Sequence, residues 1–104
     1  MINIVCFVTV PGKTKARQIA RKLVQLRLCA CVNLIGAIES HFFWKGKVDK
    51  AKETLLIIKT RRSKFAELER SLRRLHPYAV PEIIAVGIVA GHEPYLKWIR
   101  DTVR

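Results

Sequence analysis

The stretch from Leu28 to Arg62 constrains this chain most. β-branched and aromatic residues dominate both sides of Lys45-Gly46-Lys47, and the glycine sits at the reversal, so the stretch reads as two long strands meeting at a turn. Unbroken, the first arm from Leu28 to Trp44 runs about 50 to 55 Å at roughly 3.3 Å per residue. A chain of this size packs into a body about 35 Å across. The hairpin therefore overhangs its own body or bends, and Gly36 is where a bulge or kink fits. Phe42, Phe43 and Trp44 lie at the far end, beyond the reach of an intrachain core. Three large aromatics on an unpaired strand edge aggregate unless something covers them. This predicts an oligomer built by strand pairing, with Phe42, Phe43 and Trp44 at its interface. A swapped element or a bound ligand covers the same surface equally well.

The 104 residues, half of them apolar, supply material for one domain, residues 1–104, with no linker, repeat or low-complexity run. The start of the chain, Met1 to Phe7, lacks a basic leader and a cleavage site and is read as a first strand, which places the protein in the cytoplasm. Cys6, Cys29 and Cys31 are an odd number, and the last two are too close along a strand to bridge, so a reducing compartment is expected. Twenty Lys and Arg against eight Asp and Glu give a net charge of +12, and residues 1–38 hold no carboxylate. Such a surface attracts polyanions in a weak, salt-sensitive way and offers no cage for a hard divalent ion. One Met and few Asn and Gln beside this charge fit a thermophilic source.

Along the chain, Ile2–Val10 is an apolar run ended by Pro11-Gly12, a strand and a turn. From Lys13 the period becomes helical, with Ala16, Ile19, Ala20, Leu23 and Val24 on one face and cations opposite. The two hairpin strands follow, the second over Val48–Thr60. Ser63 is the expected N-cap of a second helix carrying Phe65, Leu68, Leu72 and Leu75, stopped by Pro77. Ile83–Val89 reads as a fourth strand, and Tyr95, Trp98, Ile99 and Val103 mark a closing helix. The order β-α-β-β-α-β plus a helix predicts an α+β, ferredoxin-like fold. Right-handed crossovers put both long helices on one face of the sheet and leave the other bare.

Several spaced motifs then resemble one family across nearly the whole chain. They are Thr9-Val10-Pro11, Ala30-Cys31-Val32-Asn33, Ser40-His41-Phe42-Phe43-Trp44-Lys45-Gly46-Lys47, Lys59-Thr60, His76-Pro77-Tyr78-Ala79-Val80-Pro81-Glu82 and Tyr95-Leu96-Lys97-Trp98. The chain resembles the CutA family of divalent-cation tolerance proteins. The resemblance implies a ferredoxin-like protomer in a tight homotrimer assembled through its strands, with a role in tolerance of metal ions, chiefly copper.

The candidate chemistry is gathered at three places. Cys29 and Cys31 are read as two thiols on one side of a strand, where soft thiolates hold Cu(I); unpaired cysteines also pack as small hydrophobes. His76, Tyr78 and Glu82 bring an imidazole, a phenol and a carboxylate together within seven residues, a metal or ligand cluster or else a helix stop fixed by two prolines. Lys59 joins this cluster in a cleft between subunits, or is a snorkelling surface lysine. Trp44 with Phe42 and Phe43 forms either a stacking platform or a contact between protomers. His76, Cys31 and Cys29 are thus the expected metal ligands, and Lys59, Tyr78, Glu82 and Trp44 the expected cleft residues. Copper or another divalent transition metal is the expected bound species, with no cofactor needed for folding.

Two rivals belong to other classes. A basic nucleic-acid module needs aromatics on its open sheet, and Thr54–Thr60 has none. A trimeric small-ligand sensor like the PII signalling proteins rests on architecture alone. No phosphate-binding glycine loop or nucleophile signature occurs, so no enzymatic activity is expected, and no membrane segment is found.

Overall fold

The apolar run near the start becomes β1, Asn3–Val10, in a computed structural model that describes residues 1–104. Ile4, Cys6, Val8 and Val10 point to one side and are buried, while Val5, Phe7 and Thr9 point to the other and are half-buried. Pro11 and Gly12, the latter at φ 84°, turn the chain into α1, Lys13–Gln25, whose Ala16, Ile19, Ala20 and Leu23 are buried. Arg27 at φ 57° closes that helix. Its amide donates to the Val24 carbonyl (2.9 Å) and the Leu28 amide to the Leu23 carbonyl (3.2 Å), the Schellman pattern of a helix end.

That cap absorbs Leu28–Ala30. The next strand, β2, runs over Cys31–Trp44 rather than from Leu28, so Cys29 is not on a strand and does not share a strand face with Cys31. β3, Lys47–Arg61, returns antiparallel. Lys45 (φ 51°) and Gly46 (φ 80°) form the two-residue turn with both residues left-handed, the geometry whose twist matches a hairpin. A 3-10 turn at Arg62–Lys64 precedes α2, Phe65–Leu75. Ser63 lies inside that turn and caps nothing. Lys64 holds the N-cap position, and its ammonium pairs with Glu67 at 3.2 Å instead. β4, Ile83–Gly87, ends two residues before the expected Val89, and α3, Glu93–Thr102, completes the chain.

The sheet order is β2-β3-β1-β4, antiparallel throughout, which is the ferredoxin-like α+β arrangement. Ala16, Ile19 and Leu23 of α1 and Leu68 and Leu72 of α2 pack on Cys6, Val8, Leu56 and Ile58 in a 13-residue core, so both long helices lie on one face. The opposite face is not wholly bare. Asn3 donates to the Leu96 carbonyl (3.2 Å) and accepts from Arg100 (3.2 Å), and Arg61 donates to the Arg100 carbonyl (3.3 Å), which ties α3 across one end of it.

The hairpin overhangs as its length requires. β1 pairs with β3 only from Thr54 onward, so Ile38–Glu53 pair with each other alone, and the molecule's long axis reaches 44 Å. A β-bulge falls between Ile35 and Ile38, at Gly36 and at Ala37 with φ 59°. One extra residue there reverses the facing of everything beyond it. Ile38, Ser40, Phe42 and Trp44 consequently continue the side presented by Asn33 and Ile35, away from α1 and α2.

Candidate functional site

The overhang leaves a groove of about 820 Å³ between the hairpin and the loop that joins α2 to β4. Trp44, Phe42, Phe43, Ser40 and Asp49 line one wall, Pro77, Tyr78, Val80 and Glu82 the other, and Thr9 and Glu53 the inner end. Two prolines make the loop wall stiff, since Pro77 and Pro81 fix their own φ and restrict the residues before them.

Tyr78 spans the groove's inner end. Its Oη donates to Glu53 Oε2 at 3.1 Å, and Glu53 is only 7% exposed. Burial, then the hydrogen bond to Glu53, then that carboxylate's charge all push the Tyr78 phenol above its ordinary pKa of 10. His76 holds the loop from behind: its ring centroid is 5.0 Å from that of Tyr78. Its Nε2 donates to the Thr9 carbonyl at 2.7 Å, and its Nδ1 accepts the Tyr78 amide at 3.0 Å. A carbonyl only accepts and an amide only donates, so these partners set the tautomer and leave the ring no lone pair for a metal.

The expected site residues therefore fall into separate groups. Tyr78, Glu82, Trp44, Phe42 and Phe43 share the groove, with His76 locked beneath it. Lys59 does not join them. It lies on the open sheet face directly across from Cys31, where its ammonium and the Cys31 thiol (3.9 Å) both donate to Asn33 Oδ1. Tyr95 of α3 reaches the same spot, its phenol raised by burial first and then by Cys31. Cys29 is in the core, fully buried, and its thiol is pushed up to about 12 by desolvation foremost, so the thiolate a soft metal needs is disfavoured there. Cys6 is buried likewise and pushed up to about 11. Nowhere do three or more His, Cys, Asp or Glu side chains converge as a metal cage.

Glu53 is the groove residue that motif and composition do not single out. It keeps the odd-numbered phase of Leu55 and Ile57, which puts a carboxylate on the open sheet face beside two apolar residues. That phase is the available signal, and the sequence hides only the partner, Tyr78, which is 25 positions away.

Comparison with known proteins agrees with this fold. Residues 4–102 match the family model described as CutA1 divalent ion tolerance protein. A CutA homolog of Xenopus laevis is 50% identical over 93% of this chain and 64% of its own length. A solved divalent cation tolerance protein (Cut A1) of Thermus thermophilus superposes at TM-score 0.97 with 41% identity, covering 99% of this chain and 100% of that one. A structure from Archaeoglobus fulgidus, named a periplasmic divalent cation tolerance protein CutA, gives TM-score 0.96 at 38% identity, with coverage of 99% and 100%. The chain spans 53–64% of the length of the first curated relatives it matches. No helix is long and apolar enough to cross a membrane.

Proposed function

Since this chain belongs to the CutA1 divalent ion tolerance family, we propose that it serves metal-ion tolerance as a homotrimer, with copper or another transition metal, or a small ligand, held weakly in clefts where copies meet. The observation that carries this reading is the overhang: Phe43 is 72% and Trp44 47% exposed on a stretch of hairpin that pairs with no third strand of the chain. Exposed apolar strand surface of this kind is stable in solution when another chain buries it.

A metal in this reading takes donors from more than one copy, because one chain offers no group of three. In this reading Cys31, half-buried on the open face, supplies a thiol, and Cys29 and Cys6 are sealed in the core. All three cysteines are free, which supports a reducing compartment such as the cytoplasm. Relatives are named for tolerance and not for a reaction, and no catalytic step is assigned.

Calorimetry with Cu(I), Cu(II) and Zn(II) on the wild type and on Cys31→Ser tests the metal part. Binding by the wild type that is lost in Cys31→Ser is expected. No binding tighter than about millimolar, or equal binding by both proteins, overturns it.

A further inference from the structure

Half of the chain's cations lie in its helix layer. α1, the 3-10 turn and α2 hold ten of the 20 Lys and Arg and only two of the eight carboxylates, Glu67 and Glu69. α1 itself carries Lys13, Lys15, Arg17, Arg21 and Lys22 and no carboxylate. Of the ten, Lys64 alone is ion-paired, with Glu67; the other salt bridges of the molecule lie on the hairpin and on α3.

This arrangement costs the helices stability. Lys13 with Arg17, Arg17 with Arg21 and Arg70 with Arg74 stand four residues apart, so like charges lie side by side on one helix surface. Lys13 and Lys15 also occupy the first turn of α1, where the helix dipole favours acidic residues and there are none. A solvated face of mixed sign avoids both costs, and a face of one sign is relieved when a polyanion covers it. The residue type narrows the anion. Six of the ten cations are Arg, whose planar fork matches a phosphate, whereas the exposed cations of the hairpin, Lys45, Lys47, Lys50 and Lys52, are all Lys.

The layout of the face then selects the polyanion. At about 100° per residue, Thr14, Gln18, Arg21 and Gln25 form the outermost ridge of α1, all exposed, with Lys13 and Arg17 along one shoulder and Lys15 and Lys22 along the other. Arg70, Arg73 and Arg74 are exposed on the outward side of α2. The one aromatic of these helices, Phe65, is packed against the core, which leaves no platform for the bases of a single strand. Both apolar stripes are likewise spent on the core, so neither helix has a face to sink into lipid. A polar ridge between two cationic shoulders suits the major groove of B-form DNA, which is wide enough to admit a helix, and not the narrow one of A-form RNA. We propose that the outer face of α1 and α2 binds double-stranded DNA, α1 facing the major groove with its shoulders on the phosphates of the two strands and the α2 arginines on the adjoining backbone. The assignment is independent of the metal reading, and its residues lie apart from the hairpin aromatics where copies are proposed to meet.

The probe is a fluorescein-labelled DNA duplex about two helical turns long, followed by fluorescence anisotropy across a salt series. Half-saturation below about 10 μM is expected at about 0.1 M salt, with affinity falling steeply as salt rises. Arg17→Gln with Arg21→Gln, and Arg73→Gln with Arg74→Gln, are each expected to weaken binding at least tenfold and to make the salt dependence shallower by about one to two phosphate contacts. All four positions are exposed, so circular dichroism is expected to stay unchanged. Lys45→Gln with Lys47→Gln at the hairpin turn removes the same charge elsewhere and is expected to leave affinity within about twofold. Half-saturation above about 10 μM, an equal loss in the hairpin pair, or tighter binding to an RNA duplex of the same sequence or to phosphatidylglycerol vesicles would each overturn the assignment.

Discussion

Cys29 and Cys31 sit two positions apart in different surroundings. Cys29 follows a helix cap into the core, where its pKa rises to about 12, and Cys31 opens a strand on the far face of the sheet. A thiol reagent at pH 8 should therefore modify at most one cysteine per native chain and three in guanidinium; two or more native equivalents would contradict the burial described. The two tyrosines give a second residue-scale test, since both phenols are raised, Tyr78 by burial and Glu53 and Tyr95 by burial and Cys31. A folded pKa above the unfolded value means stability that is complete below about pH 10 and is lost as pH rises through the folded pKa. Phenolate absorbance at 295 nm should accordingly rise later in the native protein than in the unfolded chain. In Glu53→Gln the Tyr78 step should move down, and an unmoved step would remove Glu53 as a cause. Tyr78 was legible as a candidate because His, Tyr and Glu crowd one short stretch. Its bond to Glu53 was not, because only strand register and the stiff loop bring residues 25 positions apart together.

At the scale of elements, period and punctuation carried most of what could be read: the hairpin turn at Lys45-Gly46, the amphipathic α1 and the bulge at Gly36 all follow from residue pattern. Other features did not. Leu28–Ala30 looks like strand, but the left-handed Arg27 turns it into helix cap; Ser63 looks like an N-cap, but the 3-10 turn takes it; and the terminal helix covers part of the face expected to be bare. Each depends on backbone geometry or a distant contact that local composition does not carry. The hairpin turn makes a prediction of its own. Lys45 at φ 51° is strained where asparagine is not, so Lys45→Asn should raise stability by roughly 0.5 to 1 kcal/mol in denaturant unfolding. A loss of stability would contradict the turn geometry.

The whole molecule is a small body with a projecting ribbon. Its main core lies between the helices and the sheet, a smaller cluster joins Ala30, Ile99 and Val103, and the ribbon's Phe42, Phe43 and Trp44 lie outside both. Length and composition make that mismatch visible without any fold, whereas the facing of the aromatics depends on the bulge. Trp44→Asp places a charge where copies are proposed to meet in an apolar contact, and it should weaken self-association at least tenfold, about 1.4 kcal/mol, in sedimentation velocity. The most direct test is the mass of the wild-type chain by light scattering at micromolar concentration. Three times 11.9 kDa is the predicted result, and a stable particle of 11.9 kDa would contradict the account.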